Sequence, residues 1–264
     1  MRLVHILGMV LTQLSVGSLV MMALLSPREI RTSFFTFNSL MAAVLASFAL
    51  WAELTGPTTT REALPALGPV IVAAALAGGA FRLEKFVIAQ LLVVFATAWG
   101  LVIAVWPMMG NAVAARALQA QSMWMLSIGG VLGALLLGAV HISMVLGHWY
   151  LVMRALSFDH LRRMNRILLG ALVVRGAWFT ATVFGLSRTD PWLATELLSP
   201  LWSASGLLFF TLMRLLWGLA LPVVLAFMSL RCIAVRHNQA ATGLLYLCEV
   251  SVLFGELFAA YLLL

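Results

Sequence analysis

A chain of 264 residues that is 63% hydrophobic and 9% charged, with a mean hydropathy of +1.07, is not an ordinary soluble domain; those are about half apolar and about a quarter charged. Its formal charge of +7 comes from basic residues scattered between apolar runs, the distribution that membrane topology produces, so no nucleic-acid partner is expected. Two cysteines, Cys232 and Cys248, with no CxxC or CxxCH pattern, leave a disulfide framework, a cysteine-ligated iron–sulfur cluster and a covalently attached haem without ligands.

About 20 apolar residues cross a hydrocarbon layer. On that template the chain reads as an all-α integral membrane protein, a polytopic bundle of about eight transmembrane helices that forms a single transmembrane domain over residues 1–264. The predicted spans are 3–25, 35–54, 64–81, 85–106, 122–152, 166–186, 206–230 and 240–263. The first apolar run is too long for a signal peptide and no small-x-small site follows it, so it is expected to be a span. The third opens with "LPALGP" and carries Gly78 and Gly79, which predicts a broken or re-entrant segment. The fifth is about 46 Å long at 1.5 Å per residue, so it should tilt or project. It also carries a GxxxG at Gly129 and Gly133, a close-packing motif. No sequence repeat relates the first four spans to the last four.

Counting basic residues by side sets the orientation. Arg28, Arg31, Arg82, Lys85, Arg154, Arg162, Arg163, Arg166, Arg231 and Arg236 fall on one side; Arg2, Arg61, Arg116 and Arg188 fall on the other. The richer side is then cytoplasmic, both termini lie on the non-cytoplasmic side, and the expected location is the inner (cytoplasmic) membrane. The segment "RALSFDHLRRMNR", Arg154 to Arg166, reads as a positive-inside connection able to meet anionic headgroups or a cytoplasmic partner.

An ionisable side chain deep in the bilayer costs several kcal/mol unless it is paired, which makes each one a functional candidate. His141, Arg175 and Glu249 fall about 13–14 Å from the predicted cytoplasmic ends of their spans, and Arg214 and Glu256 about 24 Å. Depth therefore predicts an inner cluster of His141, Arg175 and Glu249, whose histidine suits proton relay, and an outer ion pair of Arg214 with Glu256. The alternative for both is a set of structural ion pairs holding the bundle together.

His141 and His148 are seven residues apart. They share a helix face about 10.5 Å from one another, which excludes them as the two axial ligands of one haem. A b haem at His148 would need His160 or His237 as its second ligand, and at His141 only a methionine could complete the iron, so a haem b stays open with little support in the sequence; no metal site is expected. In "GHWYL", His148, Trp149 and Tyr150 offer an imidazole, an indole N–H and a hydroxyl near the cytoplasmic interface, a candidate quinone site.

These residues suit an integral membrane subunit of a respiratory or photosynthetic-type electron-transfer complex, interacting with quinone and relaying protons. Such a chain is at most a non-catalytic or quinone-reactive subunit of an oxidoreductase complex, and its partners are the lipid bilayer and other membrane or peripheral subunits. In architecture alone it is analogous to the quinone-reactive anchors of respiratory oxidoreductases. Two other readings stay open: a structural or assembly subunit without its own chemistry, and a proton- or ion-coupled transporter, against which the missing repeat counts.

Overall fold

A backbone in hydrocarbon must satisfy its own N–H and C=O groups, and a helix does so within one segment. The structure, a computed structural model, describes residues 2–55, 63–109, 121–153, 158–189 and 207–263. The described residues are 92% helical and include no strand. The helices are α1 (Arg2–Ala23), α2 (Thr32–Thr55), α3 (Ala63–Arg82), α4 (Phe86–Met109), α5 (Gln121–Val152) and α6 (Asp159–Thr189). They are followed by α7, which runs over Leu207–Leu215, a π-helical turn at Leu216–Ala220 and Leu221–Ala234, and by α8 (Asn238–Leu263). Among the described residues seven of them, all but α6, are long and apolar enough to cross a membrane, which makes the chain a membrane-embedded, multi-pass protein. Helix α6 starts seven residues before its expected span, with the polar turn Asp159, Arg162 and Arg163, and carries Arg175 in its interior.

One expectation changes. The third span is a continuous helix with Pro69 inside it, not a broken or re-entrant segment. Its glycines do not interrupt it: Gly78 packs against Leu40 and Ser39 of α2. The two halves, which share no sequence repeat, do share a packing order. In the first half α1 packs on α2 and α4, and α3 packs on the same two. In the second half α5 packs on α6 and α8, and α7 packs on the same two.

The turn that ends the third helix of each half also matches. At the end of α3, Glu84 has φ 59° and Lys85 N–H bonds to Ala80 O at 2.9 Å; at the end of α7, Arg236 has φ 59° and His237 N–H bonds to Cys232 O at 2.8 Å. Both are the left-handed C-terminal cap with the long-range bond of a Schellman motif, here built without glycine. Packing order and cap geometry thus repeat while the residues that fill them do not, so a search for sequence similarity finds nothing.

The halves meet along α1 and α5. Helix α1 is the most enclosed span, 78% buried, and α4 the least, 28% buried. A Cβ at Gly17 would overlap the backbone of Ala134 and Gly138, and one at Gly138 would overlap the backbone of Gly17. Only glycine allows that approach. At one end of the bundle His160 Nε2 lies 3.3 Å from Glu29 Oε2, tying the start of α6 to the α1–α2 connection. Arg61, Arg116, Arg154 and residues 110–120 and 190–206, which hold most of the two longest connections expected from the sequence (107–121 and 187–205), lie outside the described residues.

Candidate functional site

Helices α5 and α8 run antiparallel, and their polar residues recur at about two-turn intervals on facing stripes. On α5 the stripe is Gly133, His141 and His148; on α8 it is Thr242, Glu249 and Glu256, with Tyr246 one turn from Glu249. A seven-residue step returns nearly to the same helix face. The stripes meet in three rungs.

In the first rung, Tyr246 and His148 hydrogen-bond through the phenol oxygen and Nδ1 at 3.2 Å, and both residues face outward from the bundle. The second rung is interior: His141 Nδ1 lies 2.7 Å from Glu249 Oε1 with each residue 8% exposed. One proton lies in that contact, whether the ring N–H donates to an ionised carboxylate or a protonated carboxyl donates to the ring. The other ring nitrogen, His141 Nε2, is buried and has no hydrogen-bond partner among the described residues. An unsatisfied polar atom in such a site costs about 1–3 kcal/mol, so its retention calls for an explanation.

The third rung is a bidentate ion pair. Arg175 of α6 donates from Nε to Glu256 Oε1 at 2.9 Å and from Nη2 to Glu256 Oε2 at 2.7 Å, while its Nη1 donates to Gly129 O at 2.8 Å. Gly133 makes room for it: a Cβ there would stand 3.0 Å from Glu256 Oε2 and 3.2 Å from Oε1 of Gln13 on α1. Four helices therefore converge at this level, where the planar guanidinium matches the carboxylate in two parallel bonds.

The expected clusters are redistributed. His141 and Glu249 do meet, but Arg175 pairs with Glu256 and not with Glu249. Arg214 is not the ion-pair partner of Glu256; its guanidinium lies over the Phe179 ring at 4.7 Å, and among the described residues it makes no ion pair. Depth along each helix placed the α-carbons, whereas the guanidinium of Arg175 sits at the end of a long flexible side chain and reaches toward the next level.

The expected quinone triplet does not converge. Successive residues on a helix point about 100° apart. His148 turns to Tyr246, Trp149 meets Phe34 of α2 edge-on at 5.8 Å, and Tyr150 is buried and stacked on Phe158 at 5.6 Å. A fourth titratable contact, which the sequence reading did not single out, lies on α1 and α2: His5 Nδ1 is 3.0 Å from Glu53 Oε1. Its signal in the sequence was a histidine near the start of the first span and a glutamate near the end of the second. Among the described residues no group of three His, Cys, Asp or Glu side chains is arranged to hold a metal ion.

Comparison with known proteins finds no matching family model, no similar curated protein and no similar solved structure.

Proposed function

We propose that this chain is a proton-relaying, quinone-interacting membrane subunit of an electron-transfer complex in the cytoplasmic membrane. It would span the bilayer eight times with both termini on the non-cytoplasmic side, α6 supplying the eighth span. The reading is carried by the His141–Glu249 contact, a shared proton inside the bundle beside a ring nitrogen that has no hydrogen-bond partner among the described residues. A donor and an acceptor at that distance can exchange the proton with little rearrangement, which suits relay. The quinone headgroup is assigned to the outward-facing His148 and Tyr246, whose ring nitrogen and phenol are within reach of a molecule arriving from the lipid. Trp149 and Tyr150 are not part of that contact. Donor and acceptor centres belong to partner subunits.

The test combines quinone extraction from the purified chain with pH-jump infrared spectroscopy of the carboxyl stretch. Extractable quinone, together with a carboxyl signal that is lost in Glu249→Gln and shifted in His141→Gln, supports the reading. A quinone-free chain whose carboxyl spectrum ignores pH sinks it. The reading as a structural subunit draws on one observation, the Arg175–Glu256 pair with Gln13 and Gly129, which ties four helices whatever else the chain does. It predicts that Glu249→Gln leaves the activity of the assembled complex unchanged.

A further inference from the structure

The seam of α5 and α8 reaches Glu256, and α1 continues it. Gly17 lies against Ala134 and Gly138, and Gln13 approaches Gly133, so the contacts advance together along α1 and α5. The two helices therefore run parallel, and the N-terminal half of α1 extends beyond the Arg175 level. From Gln13 toward the start of α1, Thr12 donates its hydroxyl to Gly8 O at 2.9 Å. A Cβ on Gly8 would stand 3.0 Å from Glu53 Oε1, so the Glu53 side chain lies directly on the α1 backbone there. Glu53 in turn contacts His5 through both carboxylate oxygens, at 3.0 and 3.1 Å, with the two side chains 14% and 21% exposed. The pair is neither buried like His141 nor open like a surface ion pair.

The spacing of these contacts is regular. His148 to His141 and Glu249 to Glu256 are each seven residues, about 10.5 Å, and Gln13 to His5 is eight residues, about 12 Å. Together they extend about 33 Å along the bundle, against a hydrocarbon layer about 30 Å thick. A buried ionisable group is a functional candidate by default, and the exposed His148–Tyr246 contact and the partly exposed His5–Glu53 pair lie at the two ends of the run that the buried pairs occupy.

We infer that His5 and Glu53 form the second mouth of the proton route, so that the chain carries protons through the whole bundle, from the His148 end to the opposite face. The inference rests on the reading of His141 and Glu249 as a relay. For each proton that enters at one mouth, one leaves at the other. Every station returns to its starting state, and no electron moves. The stations are separated by apolar intervals: Val145 is buried between His141 and His148, Leu137 and Val252 between the His141–Glu249 contact and the Arg175–Glu256 pair, and Met9 between Gln13 and His5. Those intervals are the barrier to passive leakage, and passage across them needs transient water.

The test uses the purified full-length chain in liposomes that enclose a pH-sensitive dye, with a potassium diffusion potential set by valinomycin. Wild-type liposomes should acidify or alkalinise faster than protein-free ones. Glu53→Gln and Glu249→Gln should each slow the flux by about 100-fold, the low end of what a positioned proton-transfer group contributes, and Glu53→Asp should restore it. Val252→Ser should raise it. Glutamine keeps a hydrogen bond to His5, and melting temperature checks the fold of each variant; if Glu53→Gln does not fold, His5→Gln tests the same mouth. If Glu249→Gln blocks flux while folded Glu53→Gln conducts like wild type, the second mouth is overturned and the relay reading stands. If the wild-type chain carries no flux above protein-free liposomes, the transmembrane route is overturned, and the infrared measurement alone decides the relay.

Discussion

In α2 and α3 a stripe of buried alanines recurs at helical spacing: Ala42, Ala46 and Ala49 on one, Ala73, Ala74 and Ala77 on the other, all nearly or fully enclosed. In α5 to α8, packed in the same order, the interior holds His141, Arg175, Glu249 and Glu256. Alanine stripes let helices approach closely in lipid, where there is no hydrophobic drive to associate and contact area must serve instead. Ion pairs hold their helices by a different means, because separating them strands a charge. The same packing order thus appears once as dense small-residue packing and once as a polar interior. The buried ionisable contacts belong to the second half, with one partly exposed titratable contact, His5 and Glu53, at the rim of the first.

Breaking the polar half should cost the most. Arg175→Met leaves Glu256 buried without its partner, and the loss should be about 3–5 kcal/mol, read as a lower melting temperature in detergent. Arg175→Met combined with Glu256→Met should recover most of that loss, since an apolar pair of similar volume often replaces a buried ion pair without penalty. A single variant as stable as wild type would mean that Glu256 is already neutral.

The alanine half should respond to volume. Ala46→Leu forces α2 away from its neighbours and should cost about 1–3 kcal/mol, while quinone content per folded molecule stays at the wild-type level. Glu249→Gln should show the reverse pattern: a stability change near 1 kcal/mol, the worth of one hydrogen bond, with the pH-dependent carboxyl signal gone. Equal loss of function in both variants would erase the distinction between the halves. The smallest effect belongs to the matched caps. Glu84→Gly and Arg236→Gly relieve a left-handed backbone on a non-glycine residue and should each stabilise by about 0.5–1 kcal/mol. Unequal responses would show that the two caps are not equivalent.

Much of the fold was legible because apolar run length and helix length obey the same physical limit: seven spans were expected within a few residues of their observed ends. Gly78 and Gly79 misled, since in a lipid-facing helix glycine signals close approach as readily as a break. The ionisable residues were legible as a set, because charge is expensive in hydrocarbon. Their pairing was less so. Glu249 and Glu256 lie about two turns apart, and a one-turn error in depth added to the reach of the arginine side chain decided which glutamate Arg175 met. Trp149 and Tyr150 were grouped with His148 by adjacency in sequence, although adjacency on a helix separates directions.

The π-helical turn at Leu216–Ala220 lies where Gly218 meets Gly255, one residue before Glu256. A π turn holds one residue more than the α-helix it interrupts, and such bulges concentrate at functional sites. It lets a helix absorb an inserted residue while the flanking segments keep their facing directions. Removing Leu219 should therefore straighten α7 and leave Arg214 on one side and Ser229 on the other pointing as they do now. The single residue that this helix carries in excess is a length tolerance, and it sits beside the helix that bears both buried glutamates.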